Sequence, residues 1–95
     1  MIMTAKTIRI AAIGLGNRTC KYLRFVKKNP SMAALTAIAD SDRQRLLAVQ
    51  ERFGLEDDAC FTSTDEFFST VKDVDICIIG TPDKYHYDMT VRALV

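Results

Sequence analysis

Residues 7–18 read TIRIAAIGLGNR, a run of apolar and β-branched residues that ends at two closely spaced glycines. Residues 7–13 predict a strand that is covered by helices on both faces, as in a parallel sheet. Apolar residues then recur at helical spacing until Pro30, which disfavours helical geometry in the residue before it. The stretch therefore predicts a strand, a tight turn at Gly14 and Gly16, and a helix.

The rest of the chain repeats this strand–helix unit. Three further strands are predicted, at residues 34–39, 59–62 and 74–79. A helical pattern follows each of them, and candidate residues for the ends of these helices are Ser41 or Asp42, Gly54 and Thr64. Alternating strands and helices imply parallel strands joined by right-handed crossovers. The predicted fold class is α/β, a Rossmann-type doubly wound parallel sheet with the first four βα units present and the strand order 3-2-1-4.

Length and charge limit what the chain can do. Its 95 residues are too few for the six strands of a complete Rossmann sheet, so we expect residues 1–95 to be part of an N-terminal dinucleotide-binding domain. A formal net charge of +1 gives no field that would gather nucleic acid or an anionic membrane. We find no leader-like apolar run and no membrane-spanning run, and we expect a cytoplasmic protein.

The three cysteines give no sign of a metal or redox centre. Cys20, Cys60 and Cys77 are widely spaced and lack the C-x-x-C pairing that such centres use. We interpret them as buried or incidental thiols and expect no metal site.

The glycine turn has the residues needed to bind a pyrophosphate. Gly14 permits the tight turn, and Gly16 lets the backbone approach the phosphates. The helix that starts at Asn17 and Arg18 supplies N–H donors and a partial positive charge. Thr19 stands where the dinucleotide-binding fingerprint has Gly or Ala, which predicts a looser or shifted contact between helix and strand. The alternative is a tight turn without a ligand, with Arg18 a solvated charge.

Asp40 ends the second predicted strand, about 20 residues beyond the glycines, where an acidic residue can bind the ribose hydroxyls of an adenosine. Its negative charge would repel a 2′-phosphate, which favours NAD over NADP, although Arg43 and Arg45 lie near enough in sequence to weaken that preference. The alternative role for Asp40 is a helix N-cap, and the two roles are compatible.

Thr81, Pro82 and His86 follow the fourth predicted strand and therefore lie at the carboxyl edge of the sheet, where ligands bind. For His86, a surface or capping histidine is the alternative to a ligand contact.

Together these motifs resemble the Gfo/Idh/MocA oxidoreductases. The resemblance rests on the glycine turn with Asn17 and Arg18, on Ala39-Asp40, and on Thr81-Pro82-x-x-x-His86 with Ala93-Leu94, so it spans nearly the whole chain. It implies NAD(P)-dependent hydride transfer to or from sugars, inositols and related polyols. The resemblance also implies which part of the cofactor each site residue contacts. The pyrophosphate would be contacted by Gly14, Gly16, Asn17 and Arg18. The adenosine ribose would be contacted by Asp40, and the nicotinamide half by Thr81, Pro82 and His86.

The resemblance places the family's catalytic Lys, in an E-K-P segment, and its acid/base His beyond Val95. No catalytic residue is therefore expected in residues 1–95. The C-terminal substrate domain would be absent and this part alone inactive. We also expect a homo-oligomer, in which the exposed edge of the fourth strand is one candidate interface.

Three other functions are alternatives to the dehydrogenase. An NAD-dependent glycosidase of the same superfamily also shows Gly-Asn-Arg after the first strand. A non-catalytic NAD-sensing or scaffold protein would keep the fold without the chemistry. An adenosylmethionine-dependent methyltransferase is disfavoured, because it gives no reason for the Thr-Pro-x-x-x-His element.

Overall fold

The computed structural model describes residues 7–80. Within this range strands and helices alternate along the chain, as the sequence predicts. They are β1 (Ile8–Ile13), α1 (Asn17–Lys28), β2 (Ala33–Ala39), α2 (Arg43–Phe53), β3 (Cys60–Phe61), α3 (Thr64–Thr70) and β4 (Ile76–Ile79), with a 3-10 helix at Asp57–Ala59 before β3. The predicted helix over residues 85–94 lies outside the described residues.

The four strands form one parallel sheet in the order β3-β2-β1-β4, which confirms the predicted fold class and strand order. β1 is central, and its last residue Ile13 pairs with Ala39 of β2 on one side and with Ile79 of β4 on the other. The turn that follows β1 therefore lies between the ends of two neighbouring strands, at the carboxyl edge of the sheet.

Apolar side chains of the sheet alternate between two cores, one on each face. Ile10 and Ala12 pack with residues of α1 and α2, while Ala11 and Ile13 pack with Phe67 of α3 on the opposite face. This arrangement explains why the end of β1 is apolar at successive positions, since a strand covered on both faces has no polar side. None of the helices within residues 7–80 is long and apolar enough to cross a membrane.

The helix ends show which of the candidate caps act. Asp42 caps α2 by accepting hydrogen bonds from the N–H groups of Gln44 and Arg45, and Gly54 ends that helix in the left-handed conformation with φ of 65°. The prediction that Thr64 caps α3 is wrong. The cap is Ser63, whose side chain accepts a hydrogen bond from the N–H of Glu66. An N-cap residue has extended backbone, which Ser63 adopts, whereas Thr64 is already the first helical residue.

β1 is one residue shorter than predicted, and β3 and β4 are each two residues shorter. β3 contains only Cys60 and Phe61, because the residues just before it form the 3-10 helix. β4 begins at Ile76 because the Arg9 N–H donates to Asp75 Oδ2 at 2.8 Å and not to a backbone carbonyl of β4. The Asp75 N–H in turn donates to the Arg9 carbonyl oxygen at 2.8 Å, so the two residues fix the start of β4 against β1.

Candidate functional site

The turn after β1 has the tight geometry that the two glycines predict. Gly14 has φ of 81°, a left-handed conformation that residues with a side chain rarely adopt. Its N–H donates to the Ala39 carbonyl oxygen at 2.8 Å, which joins the turn to the end of β2. The chain can therefore reverse sharply between β1 and the start of α1.

The first turn of α1 is open. Gly16 is the N-cap residue, its φ of −78° is ordinary, and no side chain caps the helix. A Cβ added to Gly16 would have no atom within 4 Å, so neither space nor conformation within the described residues requires a glycine there. No acidic residue lies in the first turn, in contrast to α3, and the exposed residues Asn17 and Arg18 begin the helix. Free N–H groups and an unopposed helix dipole can bind an anion at this point.

Asp40 connects the end of β2 to the glycine turn. The Leu15 N–H donates to Asp40 Oδ2 at 2.7 Å, and the Asp42 N–H donates to Asp40 Oδ1 at 2.7 Å. The residue is buried, with 9% of its surface exposed. The alternative in which Asp40 caps α2 is wrong, because Asp42 holds that position and Asp40 supports the turn that leads into the helix.

The two backbone hydrogen bonds do not exhaust the Asp40 carboxylate. Each carboxylate oxygen can accept about two hydrogen bonds, and each accepts one from the N–H groups given above. By this count one acceptor position remains on each oxygen. The arrangement is compatible with a double role, in which Asp40 holds the turn and binds a nucleoside.

The arginines near Asp40 differ in their contacts. Arg45 Nε lies 3.7 Å from Asp42 Oδ2, and both side chains are about half exposed. Arg43 is exposed at the start of α2. Because Asp42 partly neutralises Arg45, Arg43 is the less compensated of the two charges.

Thr19 shows how the helix–strand contact accommodates a larger residue at the third position of the fingerprint. It is buried, with 2% of its surface exposed. The residue that faces it across the contact is Gly80, which has no side chain. The small residue at the close approach of helix and strand is thus not on α1 but is the glycine that directly follows β4. No sequence motif predicts this pairing.

Five of the eight predicted site residues lie in the described part of the chain, at the carboxyl edge of the sheet: Gly14, Gly16, Asn17, Arg18 and Asp40. Thr81, Pro82 and His86 lie outside the described residues. The Gly80 N–H donates to the Ile13 carbonyl oxygen at 2.8 Å, so the residue directly before Thr81 lies beside the glycine turn.

The cysteines of the described residues are half-buried thiols, and no group of three or more His, Cys, Asp and Glu residues within residues 7–80 could hold a metal ion. Burial, and then the negative charges of Asp57 and Asp58, raise the pKa of the Cys60 thiol. Burial also raises the pKa of the Cys77 thiol. Both shifts favour the protonated thiol, which is a poor nucleophile.

Comparison with known proteins agrees with this geometry. Residues 8–95 match the family profile described as "Oxidoreductase family, NAD-binding Rossmann fold". The chain belongs to the Gfo/Idh/MocA oxidoreductase family. This match identifies residues 8–95 as an NAD-binding Rossmann domain of that family. No curated protein matches the sequence significantly.

Solved structures of this fold include inositol and sugar-nucleotide dehydrogenases. A myo-inositol dehydrogenase from Corynebacterium glutamicum ATCC 13032 is 31% identical, with a TM-score of 0.78, and the match covers 94% of this chain and 25% of that one. A scyllo-inositol dehydrogenase from Lactobacillus casei is 26% identical, with a TM-score of 0.82 and coverages of 97% and 26%. The WlbA dehydrogenase from Chromobacterium violaceum, in complex with NADH and UDP-GlcNAcA, is 27% identical, with a TM-score of 0.80 and coverages of 94% and 25%. The chain spans about a quarter of the length of these proteins.

The double hydrogen bonding of Asp40 predicts that Asp40→Asn destabilises the protein. The amide has one oxygen for two N–H donors, so one donor loses its acceptor and faces an NH₂ group. We expect the free energy of unfolding, measured by urea denaturation, to fall by about 1–3 kcal/mol.

Asp42→Asn is the matched control, because asparagine caps a helix as well as aspartate does and the Arg45 pair that it loses is exposed. It should change stability by less than about 0.5 kcal/mol. Equal losses in the two variants would contradict the role assigned to Asp40.

Proposed function

We propose that this chain is the NAD-binding part of an oxidoreductase that transfers hydride between NAD and a sugar, an inositol or a related polyol. The observation that carries the proposal is the position of the Asp40 carboxylate, 2.7 Å from the Leu15 nitrogen in the glycine turn. It brings a ribose acceptor and the open N-terminus of α1 to the same edge of the sheet. The solved structures with the same fold support the substrate class, because they include two inositol dehydrogenases and a dehydrogenase bound to a sugar nucleotide.

The described residues fit a dinucleotide. The N–H groups at the start of α1, which Gly16 leaves uncovered, would meet the pyrophosphate, with Asn17 and Arg18 beside it. Asp40 would accept from the adenosine ribose through its remaining acceptor positions. Thr81, Pro82 and His86 are assigned to the nicotinamide half by their resemblance to the family motif. The bound nicotinamide would supply the hydride acceptor, while the protein binds and orients.

We infer a preference for NAD over NADP. A 2′-phosphate would approach the negative charge of Asp40, whose carboxylate is fixed in place by two backbone N–H groups. Arg45, one of the two nearby arginines, is already paired with Asp42. Arg43 remains to attract a phosphate, and an exposed single charge contributes little against a fixed carboxylate.

The acid/base chemistry is assigned to residues beyond Val95. The described site offers groups that bind a cofactor, and the family's Lys and His belong to segments that follow this one. We propose that residues 1–95 alone bind nucleotide without turning over a substrate. Catalysis would need the acid/base residues that the family resemblance places outside residues 1–95, and the relatives above are about four times as long as this chain.

Replacing Asp40 tests the ribose assignment. Asp40→Ala removes a charge-assisted hydrogen bond, which should weaken NAD binding by about ten- to a hundredfold in titration calorimetry of the complete gene product. NADP should lose less affinity, or gain some, because the repulsion of its 2′-phosphate disappears. The ratio of the two affinities is decisive, since a simple collapse of the glycine turn would weaken both nucleotides equally and contradict the assignment.

The reaction separates the dehydrogenase from its alternatives. When the complete gene product is incubated with NAD and a panel of polyols and glycosides, we expect NADH to accumulate with a polyol, as followed by its absorbance. Release of free sugar from a glycoside without net NADH would instead identify an NAD-dependent glycosidase. Nucleotide binding without either product would identify a sensing or scaffold protein.

We further propose that the protein is a homo-oligomer and that the edge of β4 contributes to the interface. β4 is an outer strand of the four-stranded sheet that the described residues form, and Ile76 at its start is 46% exposed. An exposed apolar edge strand is a template for pairing with another chain.

A charge on that edge should separate the subunits. Ile76→Lys is expected to lower the mass measured by light scattering to that of a monomer, because lysine on an edge strand blocks strand pairing. Leu47→Lys is the control, since Leu47 is a comparably exposed apolar residue on α2. A wild-type monomer at high concentration, or equal effects of both lysines, would contradict the proposed interface.

A further inference from the structure

Gly80 lies where three segments of the site meet. Its N–H holds the end of β4 against the Ile13 carbonyl oxygen. A Cβ added to Gly80 would lie 2.8 Å from the Gly14 carbonyl oxygen and would overlap Thr19 Oγ1. Any side chain at position 80 must therefore displace the glycine turn, the start of α1 or the end of β4.

Space, and not backbone conformation, requires the glycine at position 80. Within residues 7–80 positive φ angles occur only at Gly14 and Gly54, so alanine could adopt the backbone of Gly80. Thr19 fills the volume that a side chain at position 80 would take, since its Cβ lies 3.5 Å from the position of the added Cβ. The volumes of the two residues are complementary, because Thr19 on the helix has a side chain and Gly80 after the strand has none.

The two residues belong to different halves of the proposed cofactor site. Thr19 lies in the first turn of α1, whose N–H groups are assigned to the pyrophosphate. Gly80 directly precedes Thr81 and Pro82, which are assigned to the nicotinamide half. We propose that Thr19 and Gly80 are a positioning pair, whose contact sets the distance between the two halves of the site; this rests on the function proposed above. Both residues act through their neighbours and not by touching the reacting atoms.

The test compares NAD with ADP, which carries the adenosine and a diphosphate but lacks the nicotinamide half. Titration calorimetry of the complete gene product gives both dissociation constants, and the stoichiometry counts only the folded molecules. Gly80→Ala should weaken NAD at least about tenfold and ADP less than about threefold. NAD spans both halves of the site, whose separation changes, whereas ADP is assigned only to the glycine turn and Asp40, which their own hydrogen bond holds together.

A second substitution at Thr19 shows whether volume is the cause. Thr19→Ala/Gly80→Ala should bind NAD at least about threefold more tightly than Gly80→Ala, because the overlapping hydroxyl is gone. Thr19→Val/Gly80→Ala is the matched control and should recover nothing, since valine keeps the volume of threonine. If Gly80→Ala does not fold, Thr19→Ala alone loosens the same contact without an overlap and should weaken NAD more than ADP.

The outcomes distinguish the pair from the site itself. Equal losses of NAD and ADP affinity in Gly80→Ala, or equal recovery with alanine and valine at position 19, would overturn the positioning pair. Equal losses of NAD and ADP affinity in Thr19→Ala alone would also overturn the positioning pair. A wild-type protein that binds neither nucleotide would contradict the proposed NAD site, and the pair with it.

Discussion

The hydrogen bond from the Leu15 N–H to the Asp40 carboxylate joins the turn after β1 to the end of β2. Because Asp40 also accepts from the Asp42 N–H, one buried carboxylate fixes the glycine turn and the approach to α2 together. A buried carboxylate is tolerated only when its oxygens are hydrogen-bonded, and here backbone donors supply both bonds. The relative position of the glycine turn and Asp40, which we propose to bind the pyrophosphate and the ribose, depends on this arrangement.

The sheet makes that arrangement possible. β1 lies between β2 and β4 and is covered on both faces, so its end is held from every side. The N–H of Gly14 bonds to the end of β2, and the N–H of Gly80 bonds to the end of β1. Three strand ends therefore converge on one glycine turn, and the uncapped N-terminus of α1 lies at the same edge of the sheet. Cofactor binding in this family follows from the meeting of strand ends at a topological switch point.

Much of this could be predicted from the sequence, because apolar runs, glycines and caps act locally. The strand order followed from the alternation of strands and helices, and Gly54 and Asp42 acted at the helix ends where they were expected. The predicted cap of α3 is wrong by one residue, since serine and threonine can both cap a helix and the backbone angles at Ser63 and Thr64 decide between them. The contact between Thr19 and Gly80 could not be predicted, because it joins residues far apart in sequence whose fit depends on how closely α1 approaches β4.

The measurement that tests the account most directly is the titration of NAD and then NADP into the complete gene product, with the 95-residue chain in parallel. The account predicts saturable binding of both nucleotides by the complete protein, with NAD bound more tightly, since the fixed carboxylate of Asp40 disfavours a 2′-phosphate. Absence of binding, or tighter binding of NADP, would contradict the assignment of this turn and of Asp40 to an NAD site.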